Sequence, residues 1–308
     1  MKVLVTGGAG FIGSYVAGAY LDAGHEVVVI DNLSTGRRDA VPSGAVFVEA
    51  DIRDESVMQV FERERFDAVN HFAAQMQVSY SVREPLVDAS INLMGTVNLL
   101  NAARLTGVGR FLFASSAGTV YGEQSVLSCD EDQPKRPLSP YGASKLSMEH
   151  YLHAFSACYG IQTLAMRYGN VYGPGQNPHG EAGVVAIFLK KLLNGQQPVI
   201  HGSGLQTRDY IYIDDVMRAN VHALERPVSG ALNITTDVET DVIGILDALR
   251  SASGIHCPTV HGPAMAGEPG RGRYANRRAW EVLQWRPEVG LQEGIAKTVA
   301  WEREHQRL

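Results

Sequence analysis

A chain that opens Lys2-Val3-Leu4-Val5-Thr6-Gly7-Gly8-Ala9-Gly10-Phe11-Ile12-Gly13 has few folds open to it. The first five of these residues form an apolar, β-branched run ended by glycines, which predicts a buried strand. Residues 14–23 have helical character and stop at Gly24, and residues 26–30 predict a second strand closed by Asp31. This is one β-α-β unit with a right-handed crossover. Glycines between strand and helix let the backbone approach a pyrophosphate seated over the N–H groups of the helix N-terminus. The spacing reads as Gly7-x-x-Gly10-x-x-Gly13 or as Gly8-x-Gly10-x-x-Gly13. Asp31 lies 18 residues beyond Gly13 (31 − 13), where a carboxylate binds the adenosine ribose hydroxyls and repels a 2′-phosphate. NAD is therefore expected rather than NADP, with Arg37 and Arg38 as the opposing signal.

The alternation continues. Residues 45–49 predict a third strand, leading to Asp51-Ile52-Arg53-Asp54. Asp51 could accept from the adenine amino group, and Asp54 is expected to cap a helix over 55–64. A fourth strand over 66–71 runs into Phe72-Ala73-Ala74-Gln75, where small residues would let the middle of a cofactor lie against the strand end. His71 is expected to be a satisfied core histidine. Pro85 opens a long helix through Asn92 and Ala103 that ends at Gly107. A fifth strand over 111–114 leads into Ser115-Ser116-Ala117-Gly118-Thr119-Val120-Tyr121-Gly122, and a sixth covers 163–167. Later segments are irregular, with helices expected over 184–193, to 224 with Asp214 or Asp215 as its cap, over 241–253 and over 291–304. The reading is an α/β doubly wound parallel sheet (a Rossmann fold) with a smaller C-terminal substrate-binding lobe. The cofactor domain is expected over 1–170, with about 206–225 added, and the lobe over 171–205 and 226–308.

Composition narrows the function. With 45% hydrophobic and 19% charged residues and a net charge of -6, the chain lacks a basic nucleic-acid surface or a polybasic membrane segment. No apolar run reaches the ~18–20 residues that cross a bilayer. Three widely spaced cysteines without a Cys-x-x-Cys pair argue against a disulfide framework or a metal site and fit the cytoplasm.

Ser139-Pro140-Tyr141-Gly142-Ala143-Ser144-Lys145 opens a further helix and sets a phenol and an ammonium about one turn apart. A nearby cation favours phenolate, so the pair could act as a base near neutral pH. The bland alternative is an exposed aromatic beside a solvated lysine.

Taken together, the glycine turn, Asp31-Asn32-Leu33, Asp51-Ile52-Arg53, His71-Phe72-Ala73-Ala74-Gln75, Tyr141-x-x-x-Lys145, Arg167-Tyr168-Gly169-Asn170-Val171-Tyr172-Gly173-Pro174 and Arg208-Asp209-Tyr210 resemble the extended short-chain dehydrogenase/reductase superfamily. The likeness is strongest to nucleotide-sugar epimerases of the UDP-glucose 4-epimerase type, and it covers essentially the whole chain. It implies a tightly held NAD and inversion of C4 of a UDP-hexose through a 4-keto intermediate, with a UDP-uronate or a UDP-N-acetylhexosamine as the alternative substrate. The cofactor contacts it implies are Gly7, Gly10, Phe11, Ile12, Gly13, Asp31, Asn32, Asp51, Ile52, Phe72, Ala73, Ala74, Asn92, Ser115, Tyr141, Lys145 and Tyr168. Tyr141 would be the base and Lys145 its electrostatic tuner, while Asn170 and Arg208 would hold the UDP-sugar. A homodimer is implied, built on the helices at about 86–105 and 141–159.

The chain departs from that pattern in three places. Ala117 stands where the family carries a catalytic Ser or Thr, so Ser116 is the candidate hydroxyl, with Ser115 and Thr119 behind it. Ala264-Met265-Ala266 replaces the segment with a second diphosphate arginine before Gly267-Glu268, so Arg271 or Arg273 stands in or the contact is absent. Met76 replaces a lysine. No carboxylate follows Ala117 in Gly118-Thr119, which argues against a 4,6-dehydratase. A non-catalytic NAD-binding relative is the alternative from another class, and the Tyr141–Lys145 pair argues against it.

Overall fold

A computed structural model describes residues 1–124, 126, 128–178, 183–264 and 269–305. The chain runs β1 (Lys2–Thr6), α1 (Phe11–Asp22), β2 (Glu26–Asp31), β3 (Val46–Glu49), α2 (Ser56–Glu64), β4 (Ala68–His71), α3 (Val78–Arg83), α4 (Pro85–Ala89), a π-helical turn (Ser90–Met94), α5 (Gly95–Thr106), β5 (Arg110–Ser116), α6 (Ala117–Val120), α7 (Pro140–Tyr159) and β6 (Gln162–Tyr168). It continues with β7 (Asn170–Tyr172), α8 (Val184–Leu193), β8 (Val199–His201), β9 (Thr207–Tyr212), α9 (Ile213–Glu225), β10 (Gly230–Ile234), β11 (Glu239–Asp241), α10 (Val242–Ser253), β12 (Val260–Gly262), α11 (Arg277–Leu283) and α12 (Leu291–His305).

Seven strands form one sheet in the order β3-β2-β1-β4-β5-β6-β10, and every neighbouring pair is parallel. Alternate side chains of these strands enter opposite cores. Val3 and Val5 of β1 face one core with Val16, Ala17 and Ala219, from α1 and α9. Leu4 faces the other, with Val57, Leu99 and Met148 from α2, α5 and α7. Burial on both faces explains why the strands read as apolar runs without alternation. The strand order reverses between β1 and β4, which places the ligand crevice beyond their C-terminal ends. A three-stranded sheet, β11-β9-β7, and a parallel pair, β12-β8, form the remainder.

The sheet order agrees with the fold class read from the sequence, and several local expectations are corrected. β10 comes from the stretch assigned to the lobe, yet it is the edge strand of the large sheet. Asp54 does not cap α2, because its carboxylate accepts from the N–H of Asp51 at 3.2 Å while Glu55 stands at the N-cap without a side-chain bond. Asp214 and Asp215 sit inside the first turn of α9 rather than before it. Asp215 accepts instead from the N–H groups of Glu288 (2.9 Å) and Val289 (3.1 Å), pinning the approach to α12. The long helix after Pro85 is interrupted by the π-helical turn, a local widening that recurs near functional sites. No helix among the described residues is long and apolar enough to cross a membrane.

His71 is the satisfied core histidine its position in β4 suggests. Thr96 Oγ1 donates to the carbonyl of Asn92 (2.6 Å), so it accepts from His71 Nε2 at 2.8 Å, and Thr6 Oγ1 donates to His71 Nδ1 at 2.6 Å. Burial first, and then the charge of Lys145, push His71 down to about 3 from 6.5. Below pH 6.5 the unfolded chain therefore binds a proton that the native state refuses, and stability falls with pH by about 1.4 kcal/mol per unit. At pH 5 this one group should cost about 2 kcal/mol. The difference in urea unfolding between pH 7 and pH 5 should therefore shrink by that amount in His71→Gln.

Candidate active site

The crevice is built around the turn between β1 and α1. Gly7 has φ +71°, and a Cβ there would lie 2.6 Å from Ala73 N and 2.8 Å from the Phe72 carbonyl carbon. A Cβ on Gly13 would lie 2.2 Å from Gly7 O. These two glycines let α1 press against the turn and the turn against the segment leaving β4. Gly10 is the N-cap of α1; no side chain caps the helix and no acid stands in its first turn. The N–H groups of Phe11, Ile12 and Gly13 thus lack intrahelical acceptors at the positive end of a twelve-residue helix.

Asp31 ends β2 beside this turn, with Oδ2 accepting from Ala9 N (3.0 Å) and Oδ1 from Leu33 N (2.8 Å). Asn32 donates to Asp51 Oδ2 (2.9 Å), and Arg53 grips the same carboxylate through Nε and Nη2, both at 2.8 Å. That guanidinium, ahead of the other contacts, holds Asp51 well below the usual carboxylate range. Ile52 is buried against Gly95. The two nearby arginines are engaged elsewhere: Arg37 pairs with Asp39, and Arg38 lies 4.2 Å over the Phe47 ring. Across the turn run Phe72, Ala73 and Ala74. Asn92 reaches them from the π-helical turn, accepting from Gln75 N and donating to Gln75 O, both at 2.9 Å.

On the other side stands α7. Ser139 caps it by accepting from Gly142 N at 3.2 Å, and Pro140 occupies its first position. Lys145 is 4% exposed; its Nζ donates to Ala114 O (2.8 Å) and lies 5.6 Å from the centre of the Tyr141 ring. Burial pushes Lys145 down to about 8, with Asp88 acting in the opposite sense. Burial, and then the Asp88 carboxylate, push the Tyr141 phenol above its ordinary value. The sequence reading has Lys145 depress that phenol. In the protein by itself, burial outweighs any such effect on the phenol.

The three candidate hydroxyls differ in their partners. Ser115 Oγ donates to Glu149 Oε1 at 2.6 Å, in a buried pair whose Arg167 binds Glu149 twice (2.9 and 2.6 Å). The Ser115 hydroxyl is thus engaged with the helix that bears Tyr141. Ser116, its neighbour on β5, points the other way. A Cβ on Gly118 would lie 3.7 Å from both Ser116 Oγ and Asn170 Oδ1, so these two polar groups share one small space. Thr119 Oγ1 is buried without a hydrogen-bond partner. The Tyr168 hydroxyl bonds Asn220 Oδ1 (3.0 Å) in the core, and its ring stacks on Phe72 at 6.4 Å.

Asn170 and Arg208 lie on two strands of the three-stranded sheet. β7 pairs with β9 in parallel, setting Asn170 beside Tyr210, two residues from Arg208. Arg208 Nη1 donates to the carbonyls of Thr207 and Pro269, both at 2.8 Å. Arg271 is paired with Glu239, and Arg273 Nε donates to Asp237 Oδ1 at 2.9 Å, so both candidate replacements for the second arginine are committed to acids. Met265, Ala266, Gly267 and Glu268 lie outside the described residues.

A family model described as "NAD dependent epimerase/dehydratase family" matches residues 3–235. The chain belongs to that family. A UDP-glucose 4-epimerase of Mycolicibacterium smegmatis is 43% identical over 310 residues, covering 98% of this chain and 99% of that protein. Among solved structures, a UDP-glucose 4-epimerase of Thermotoga maritima with UDP-glucose superposes with a TM-score of 0.97 at 42% identity, covering 99% of this chain and 100% of that one. A Thermus thermophilus UDP-glucose 4-epimerase in complex with NAD superposes at 0.95 with 43% identity, covering 98% and 99%.

NAD, the cofactor of the family, fits this crevice on the protein's own geometry. The uncapped N-terminus of α1 suits a diphosphate, the cradle at Gly7 and Gly13 excludes even one extra carbon, and Asp31 closes the ribose end. Sequence reasoning missed the buried groups behind the site. Tyr121 accepts from Arg167 Nη1 (2.7 Å) and donates to Asn233 Oδ1 (2.7 Å), joining β6 to β10. Asp88 accepts from Ser144 on α7. No local pattern announces either, since the partners are 46 to 112 residues apart.

Because Gly13 is closed and Gly18 open, with only Pro42 Cγ at 3.8 Å, alanine should act oppositely at the two. Gly13→Ala should cost about 1–3 kcal/mol of stability through overpacking. It should also weaken NAD by about tenfold or more by displacing the turn. Gly18→Ala should stabilise by about 0.5–1 kcal/mol with NAD affinity unchanged. Thermal denaturation and NAD titration check both.

Proposed function

We propose that this chain inverts C4 of a UDP-hexose, interconverting UDP-glucose and UDP-galactose, with Tyr141 as the base. The observation that carries the reading is that the Tyr141–Lys145 pair, held at Ala114 near the C-terminal end of β5, and the glycine cradle after β1 lie at the same end of the parallel sheet, in a chain alike from end to end to UDP-glucose 4-epimerases. Gly7, Gly10, Phe11, Ile12 and Gly13 receive the pyrophosphate. Asp31 and Asn32 hold the adenosine ribose, and Asp51 and Ile52 border the adenine. Phe72, Ala73, Ala74 and Asn92 line the nicotinamide half, where Lys145 binds the ribose.

Tyr141 takes the proton of the C4 hydroxyl as the C4–H bond breaks. NAD, when bound, would supply the reversible hydride acceptor for C4. The planar 4-keto sugar turns over between the two transfers, and Tyr141 gives the proton back to O4. No electrons are gained or lost overall, so no exchangeable reductant is required. Ser116 donates to the reacting oxygen, in the place the family gives to residue 117. Asn170 and Arg208 hold the nucleotide-sugar, Arg208 by charge-assisted bonds to the diphosphate.

We assign a homodimer to the same reading. Leu86 (85% exposed), Met94, Leu105, Tyr151 and Tyr159 present apolar surface from α4, the π-helical turn, α5 and α7, the helices expected to pair with a second copy. The three cysteines, none of them bridged, fit a reducing cytoplasm.

Incubation with UDP-glucose should yield UDP-galactose by NMR, and denaturation should release NAD identifiable by mass spectrometry. Tyr141→Phe should lower kcat by about 10³-fold with the NAD still bound. The proposal fails if UDP-glucose, UDP-galactose, their N-acetyl forms and UDP-uronates all remain unchanged. A monomeric mass by light scattering at micromolar concentration refutes the dimer.

A further inference from the structure

Asp88 is wholly buried in α4, and three elements of the site converge on it. Its Oδ2 accepts from Ser144 Oγ on α7 at 2.6 Å. Its Oδ1 accepts from Asn92 Nδ2 of the π-helical turn (3.0 Å) and from Gln75 Nε2 (2.9 Å), which ends the segment leaving β4. Among the described residues no cation stands within ion-pair distance of it. A carboxylate enclosed by neutral donors alone is costly to bury, and a neutral side chain would serve as well if only a peg were needed.

Ser144 directly precedes Lys145, and Tyr141 stands one turn before it. The titratable groups around Lys145 are Asp88 from α4, Tyr141 on its own helix and the neutral His71 of β4, with the Phe113 ring at 4.8 Å and the Ala114 carbonyl at 2.8 Å from β5. Asp88 supplies the negative charge among them.

We propose that Asp88 is a positioning residue that ties the catalytic helix to the cofactor side of the crevice and keeps the Lys145 ammonium charged. This rests on the reading of Tyr141 and Lys145 as the catalytic pair. Two variants separate the two effects. Asp88→Asn keeps the volume and most of the bonds, since the Ser144 hydroxyl can turn to accept, but it removes the charge. Ser144→Ala breaks the tie to α7 and leaves the charge.

The readouts are the titration of Lys145 by NMR of ε-¹³C-lysine protein, assigned with Lys145→Arg, NAD affinity, and kcat and KM for UDP-glucose against pH. In Asp88→Asn the Lys145 midpoint, near 8 in the parent, should fall by about one unit, and the alkaline limb of kcat should move with it. Ser144→Ala should leave that midpoint in place and lower kcat about tenfold, with KM little changed, because misplacement of the reacting groups costs rate rather than binding. The inference is overturned if the midpoint stays put in Asp88→Asn or if Ser144→Ala keeps the parent kcat. If Asp88→Asn does not fold, Ser144→Ala still decides. If the parent leaves UDP-glucose unchanged, the epimerase reading falls, while the NMR midpoint and the NAD titration still test the role of Asp88.

Discussion

Where Gly7 meets the peptide joining Phe72 to Ala73, two backbones touch with no side chain between them. That contact sets the distance between the first strand's turn and the segment leaving β4, which are the two lips of the crevice at the point where strand order reverses. It is repeated one turn into α1, where Gly13 lies against Gly7 O. Helix, turn and neighbouring strand end are thereby fixed as one body, and the positive end of α1 is aimed into the space between the lips. Every other part of the site is placed against this body. Asn92 holds Gln75, Gln75 ends the lip, and Asp88 carries the connection across to α7.

Electrostatics in this crevice follow from burial more than from pairing. The protein alone moves Lys145 toward its neutral form and Tyr141 away from phenolate, both by desolvation. Neither shift favours proton abstraction by itself. A base built this way depends on positive charge held close to the phenol, and two sources are available: the lysine, whose charge Asp88 defends, and the nicotinamide ring when NAD is bound.

Much of this could be read from residues close together in the chain. The β-α-β unit, Asp31, and Tyr141 with Lys145 are short-range patterns, and each falls on the element expected of it. The seven-stranded sheet followed from the alternation, apart from its last edge. β10 was missed because Gly230-Ala231-Leu232-Asn233-Ile234 is brief and follows a region without regular alternation, and only pairing with β6 makes it a strand. The caps assigned to Asp54 and to Asp214 or Asp215 failed because a carboxylate near a helix start has several backbone donors in reach, and tertiary contacts decided among them. Ser115 and Ser116 look equivalent in sequence. The two-residue period of β5 sends one to Glu149 and the other toward Asn170, and that parity is set by the sheet.

The groups that sequence could not supply are also those that connect the two halves of the molecule. Arg167 is held twice by Glu149 of the catalytic helix and donates to Tyr121, which bonds Asn233 in β10. Asn233 in turn donates to the carbonyls of Cys129 and Ala275, in the segment that carries Tyr274 onto the face of Tyr121. Asp209 completes the join: it is fully buried, burial pushes it up to about 6, and it accepts from the N–H and hydroxyl of Thr236 and from Asp237 N. Asp209 follows Arg208 directly, so the residue expected to grip the diphosphate is mounted on the same buried polar base as the helix bearing Tyr141. An epimerase must keep its nucleotide anchored while the sugar turns over. On the reading proposed above, in which Arg208 anchors the diphosphate and Tyr141 takes the proton, a shared base would keep both in register during that turn.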